Sequence, residues 1–185
     1  MAKVWSIIDY HQKIGVIKTT QQRGYTLIEL LLYVVVISSL LTSITYFFGV
    51  IVEARVKNQT IAEVNDQGSA TIDGITQTIR NATSISTPAA GASAASLTLV
   101  VPTGSLSPTI YSLNGTVLQI KEGTAANVAL TSGDVQVSNL LFKNLTRAGT
   151  PGIVQVSFTL SRINPVGRNE YDYQKTFTTS VEVGW

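Results

Sequence analysis

Cysteine is absent from all 185 residues, and histidine occurs once, as His11. Without cysteine there is no disulfide framework and no thiolate metal site. Charge is scarce as well: Asp, Glu, Lys and Arg make up 13% of the chain, roughly half the share of an ordinary soluble domain. The 44% hydrophobic content excludes a disordered polyelectrolyte. Proline is missing between Tyr25 and Pro88, so nothing in that stretch forces a helix to break. No GxxxxGK[ST] or GxGxxG string occurs, and Gly149-Thr-Pro-Gly152 reads as a turn.

The charge that is present is unevenly placed. Residues 1–24 carry Lys3, Lys13, Lys18 and Arg23 against Asp9, while the remaining chain holds nine bases and ten acids. The basic excess is therefore N-terminal. It is followed by residues 30–52, LLLYVVVISSLLTSITYFFGVIV, 23 residues without a charge or a proline. As a helix such a run spans about 34 Å, enough for a bilayer core of about 30 Å. The basic flank keeps the N-terminus in the cytoplasm and sends the chain after residue 53 outward. Ser38, Ser39, Thr42, Ser43 and Thr45 suit close helix–helix contact in lipid. A cleaved signal peptide is the rival reading, with Val52-Glu53-Ala54 as its cleavage site, but its apolar region should be only about 7–15 residues.

At the boundary stands Arg23-Gly24-Tyr25-Thr26-Leu27-Ile28-Glu29. A carboxylate at the edge of a membrane span is costly unless it has a partner, and no base follows Glu29 until Arg55. Cleavage after Gly24 would supply one, the new α-amine of Tyr25. A basic residue, Gly, an aromatic residue, Thr-Leu-Ile-Glu and then about 20 apolar residues resemble the class III signal of type IV pilins and type II secretion pseudopilins. That resemblance implies that a prepilin peptidase cuts after Gly24 and N-methylates Tyr25. It also implies that Glu29 pairs with the N-terminal amine of a neighbouring subunit during filament assembly. Tyr25 departs from the commoner Phe. The missing helix proline departs from many major pilins and favours a minor pilin or pseudopilin. The stretch 69–99 and the segment VSNLLF also resemble the group of J-type pseudopilins and W-type minor pilins.

After residue 52 the sequence turns amphipathic. Ile61, Val64, Gly68, Ile72, Ile75, Ile79 and Ala82 form one helical stripe. Gly68 and Gly74 would each weaken it by about 1 kcal/mol. Pro88 and the run AAGASAAS end the helix and form a linker. From Leu97 the period becomes two, most clearly at Val154, Val156, Phe158 and Leu160 and from Tyr173 to Val183. Asn114-Gly115 signals a hairpin, and further strands are expected at 97–101, 127–131 and 135–142. The expected class is α+β: a long N-terminal helix, half membrane-spanning and half amphipathic, packed on one antiparallel sheet, which is also what the resemblance implies. The expected divisions are a leader at 1–24, a transmembrane and assembly helix at 25–52, its amphipathic extension at 53–87, and a β domain at 88–185.

No chemistry of turnover is expected. His11 leaves with the leader, which removes Ser-His-Asp, Cys-His and HExxH centres. Glu170 and Asp172 lie two apart in a strand-like segment and would share a face, but Arg168 beside them marks an exposed charge cluster. Calcium at Asp134, or at Glu170 and Asp172, lacks a ligand-spaced loop. No metal or cofactor is therefore assigned. The sequons at Asn58, Asn81, Asn114 and Asn144 read as coincidences of an Asn- and Thr-rich chain. Beyond Asn58 the bases are dispersed and outnumbered by acids, which argues against DNA binding.

The sequence thus points to a structural minor subunit of a type IV pilus or type II secretion pseudopilus, not an enzyme. It would be a single-pass inner-membrane protein, N-terminus inside and C-terminal domain outside, that later joins a surface filament. Its partners would be prepilin peptidase, other pilin or pseudopilin subunits and inner-membrane lipid, without nucleic acid. The alternative is a membrane-anchored extracellular binding module, either a filament-tip adhesin or a DNA-uptake pilin.

Overall fold

A computed structural model describes residues 24–184. The leader expected at 1–24, with His11 in it, lies outside the described residues except for Gly24. The described residues divide into two units, the first ending at Thr45 and the second beginning at Tyr46. One helix, α1 (Leu27–Asn81), runs from the first into the second without interruption.

In the first unit the helix begins because Thr26 caps it. The Thr26 side-chain oxygen accepts the backbone N–H of Glu29 at 3.3 Å, and its carbonyl accepts that of Leu30 at 3.1 Å. This satisfies donors that the first turn leaves free. From Tyr25 to Ile44 every large apolar side chain is between 45% and 79% exposed. The helix contains an 18-residue window of mean hydropathy 2.3 with none of it buried, so it is long and apolar enough to cross a membrane. The hydroxyls of Ser39, Thr42 and Thr45 donate to the carbonyls of Val36, Ser38 and Leu41 at 2.8–2.9 Å. They are satisfied within their own helix, an arrangement the sequence reading did not anticipate.

In the second unit α1 buries Thr60, Val64, Gly68, Thr71, Ile75 and Ile79. Each buried Val or Ile contributes about 1.5–3 kcal/mol. The expected stripe is correct at Val64, Gly68, Ile75, Ile79 and Ala82, whereas Ile61 and Ile72 are only half-buried. Thr60 and Thr71 take the central positions instead.

The amphipathic extension was expected to reach residue 87, but the helix ends at Asn81. Ala82 donates to Ile79 in a tightened last turn, and Thr83 already donates to Val100, a residue of the sheet. Residues 84–87 are strand β1 (Ser84–Thr87), so the sheet starts four residues before the expected boundary. The expected linker also contains a short strand, β2 (Ser93–Ala94).

The strands that follow are β3 (Leu97–Val100), β4 (Thr109–Asn114), β5 (Val117–Glu122), β6 (Val128–Ala129), β7 (Val135–Asn144), β8 (Ile153–Arg162) and β9 (Gln174–Glu182). They form two antiparallel sheets rather than the single sheet expected: five strands in the order β1-β3-β4-β5-β6, and four in the order β2-β7-β8-β9. The α+β class stands. The hairpin signal is in the right place, but the two-residue loop is Gly115-Thr116, with Asn114 and Val117 paired at its base. Gly115 takes a φ of +62°, which a glycine at the first loop position accepts without cost.

The core of this unit joins Val64, Ile75 and Ile79 to Leu97, Leu99, Tyr111 and Leu118 of one sheet. Val137, Phe142, Val156, Phe158 and Phe177 come from the other. In β7 the alternation is reset by a bulge between Ser138 and Leu141, where Asn139 has a φ of +53°. Two successive residues, Ser138 and Asn139, face solvent, and Leu140, Phe142 and Asn144 then point inward.

Candidate functional site

The residues singled out by sequence, Gly24, Tyr25 and Glu29, sit together at the start of α1, joined there by Thr26 and Tyr33. Gly24 is exposed, with open space where a Cβ would lie and no left-handed backbone. Among the described residues, neither packing nor backbone conformation requires glycine at this position.

Glu29 is half-buried, and its backbone and side chain are held separately. Its N–H is taken by Thr26, the S/T-x-x-E spacing of a capping box. Its carboxylate oxygen Oε1 accepts the phenolic O–H of Tyr33, four residues on, at 3.1 Å. The Tyr33 ring in turn meets Tyr25 edge-on, with centroids 6.3 Å apart and planes at 77°, a favourable aromatic geometry. No salt bridge to Glu29 occurs among the described residues. Thr26 and Tyr33 were not anticipated. The Thr-x-x-Glu spacing and the Glu–Tyr separation of four residues would have revealed both.

In the second unit the charged candidates behave differently. Glu170 belongs to a short 3-10 turn, Asn169–Tyr171, and not to a strand, so the expectation that Glu170 and Asp172 share a strand face is corrected. Glu170 forms an ion pair with Arg168, and the backbone carbonyls of Asn169 and Asp172 accept Lys57 Nζ at 3.0 and 2.5 Å. Asp134 lies 3.7 Å from Arg162, whose guanidinium also donates to Glu63. Glu170 and Asp134 are thus tied to different cations, and the described residues hold no group of three or more Asp, Glu or His that could bind a metal ion.

The polar side chains of α1 act as fasteners. Gln67 donates to Ser132 Oγ at 2.8 Å and accepts the Ser132 N–H at 3.0 Å, and Asn65 accepts Lys175 at 2.7 Å. Arg162, Arg168 and Lys175, three of the bases weighed for DNA contact, are thus engaged inside the unit. Among the described residues, the exposed large apolar side chains in this unit from Leu106 onward are aliphatic: Leu106, Val128, Leu130, Leu141, Leu145, Ile163 and Val166. A cleft of about 560 Å³ is bordered by Arg80, Thr83, Pro102, Thr109 and Glu122 and contains no nucleophile paired with a base.

Residues 19–45 match the family model described as the prokaryotic N-terminal methylation motif. No curated protein and no solved structure matches the chain. The matched span contains the capped helix start and the Glu29–Tyr33 pair. The motif implies processing by a prepilin peptidase and assembly with other pilins, and it indicates a structural subunit. Together with a helix able to span a bilayer, the match at residues 19–45 supports a likeness to the type IV pilin and pseudopilin family.

Proposed function

We propose that the protein is a minor structural subunit of a type IV pilus or type II secretion pseudopilus. It is inserted through the inner membrane with its N-terminus in the cytoplasm, and the sheets lie outside. Prepilin peptidase removes residues 1–24 and methylates the amine of Tyr25. The exposed, open Gly24 supports this reading: a glycine that nothing among the described residues calls for suits an enzyme that grips this bond. Glu29 then pairs with the amine of a neighbouring subunit, and the apolar helix, unburied along its first unit, packs against the helices of other pilins. The observation that carries the proposal is a carboxylate set at the mouth of an apolar helix with no cation of its own among the described residues.

The mechanism is selection during assembly. A charge held in a low-dielectric site strongly favours the one register in which it is neutralised. N-terminal sequencing of the protein recovered from its own membranes tests the assignment. The expected first residue is N-methyl-Tyr25, and a chain that keeps Met1 would show a simple anchored protein instead.

A further inference from the structure

We infer that Tyr33 is a positioning residue for Glu29: its phenol holds one carboxylate oxygen and leaves the other for the incoming amine. This inference rests on the amine-pairing role proposed for Glu29.

In the run LLLYVVVI, residues 30–37, Tyr33 is the single side chain with a polar atom. A leucine or valine there would suit lipid better, because a phenol without a partner is costly in hydrocarbon. Its O–H is met by Glu29 Oε1 at 3.1 Å. The separation of four residues is the one that brings two side chains together on a helix. The other helix hydroxyls bonded in this unit, those of Ser39, Thr42 and Thr45, are spent on backbone carbonyls. The hydroxyl of Thr26 serves the Glu29 backbone.

The bond does two things at once. It satisfies the carboxylate while a subunit waits in the membrane without a neighbour. It also fixes the rotamer, so that the carboxylate does not search for its partner, and the entropy of that search is lost before docking. The ring of Tyr25, edge-on to Tyr33, keeps the phenol in place.

Two measurements test this on the full chain in its own membranes. In the first, Tyr33→Phe keeps the ring and its contact with Tyr25 but deletes the donor. Membrane level and leader removal should be unchanged, while incorporation into sheared filaments should fall about tenfold, the worth of one hydrogen bond to a charged acceptor. In a Glu29→Ala background the same change should have no additional effect. Normal incorporation of Tyr33→Phe, or losses that multiply independently, would overturn the inference.

The second measurement needs no filament. The ¹³Cζ resonance of labelled Tyr33, read by solid-state NMR in bilayers, should move when Glu29 becomes Gln. An unmoved resonance overturns the inference even if Glu29 proves essential. A shifted resonance combined with normal assembly of Glu29→Ala sinks the amine-pairing role, and Tyr33 then loses its proposed purpose along with it.

Discussion

Gly68 of α1 lies against the outer end of the Phe177 ring in β9, so close that a Cβ built on the glycine would overlap its Cζ and Cε atoms. Phe177 is stacked on Phe158 of β8, with centroids 5.5 Å apart and planes at 23°, so it cannot swing away without leaving the core. The glycine that by propensity alone should loosen the helix is therefore what lets an aromatic ring of the sheet lie against the helix backbone.

Gly68→Ala should accordingly destabilise the protein by about 1–3 kcal/mol through overpacking, although alanine is the better helix former. Phe177→Ala alone should cost about 3–5 kcal/mol. Combined with Gly68→Ala it should cost less than the two together, because the new methyl enters the vacated space. Denaturant melts of the four proteins followed by circular dichroism read the coupling, and additive losses would contradict the contact. Gly74 is the control. Its Cβ would meet nothing within 4 Å, and Gly74→Ala should stabilise the helix by up to about 1 kcal/mol.

Two substitutions address processing and assembly separately. Gly24→Ser should block leader removal, seen on a gel as a species larger by the whole leader. Glu29→Ala should leave insertion and cleavage intact and deplete the protein from filaments. Cleavage of the Gly24 variant, or unchanged assembly of the Glu29 variant, counts against the proposed function.

Asn144, read from sequence as one of four sequons, is 4% exposed. Its amide donates to the Pro88 carbonyl at 2.8 Å, and its oxygen accepts the N–H of Thr146 at 3.0 Å. Asn144→Ala should cost about 1–3 kcal/mol, because a buried carbonyl loses its donor. A mass spectrum of the native protein should show no glycan at Asn144. A glycosylated Asn144 would contradict this arrangement.

Tyr111 gives a pH dependence. Burial pushes its phenol above the ordinary value of 10.0; the hydrogen bond to Thr78 opposes this in part, and the Glu122 carboxylate adds to it. The unfolded phenol ionises first, so the stability that Tyr111 contributes is complete below pH 10.0 and is lost as pH rises from there through the folded value. Tyr111→Phe should flatten that alkaline decline. It should also cost about 1 kcal/mol at neutral pH, since the 2.7 Å bond to Thr78 goes with the hydroxyl. A decline of unchanged slope in the variant would assign the alkaline loss to other groups.

Much of this was legible because periodicity reports burial. Val64, Gly68, Ile75 and Ile79 were found by spacing, and Val154, Val156, Phe158 and Leu160 by alternation. Thr60 and Thr71 were missed because threonine scores as polar while its methyl packs as well as valine's. Pairing is what alternation cannot report: it says which face is buried and not which strands are neighbours, and the single expected sheet is two. The end of α1 was set too late because Pro88 looked like the stop, whereas the backbone had already passed to the sheet at Thr83. Gly24, Tyr25 and Glu29 stood out as a motif. Tyr33 was hidden among seven aliphatic residues, where hydropathy counts the ring and overlooks the oxygen.

The hydroxyls of Ser39, Thr42 and Thr45 each close on their own helix, so these three lend the flank of that helix no free donor for a neighbour. At those three positions a neighbouring helix can be drawn past without breaking a polar bond. In the proposed filament, adhesion along the shaft is then diffuse and forgiving, and position is read at a single charged latch near its end. On that proposal, releasing a subunit would mean undoing one latch and not a ladder.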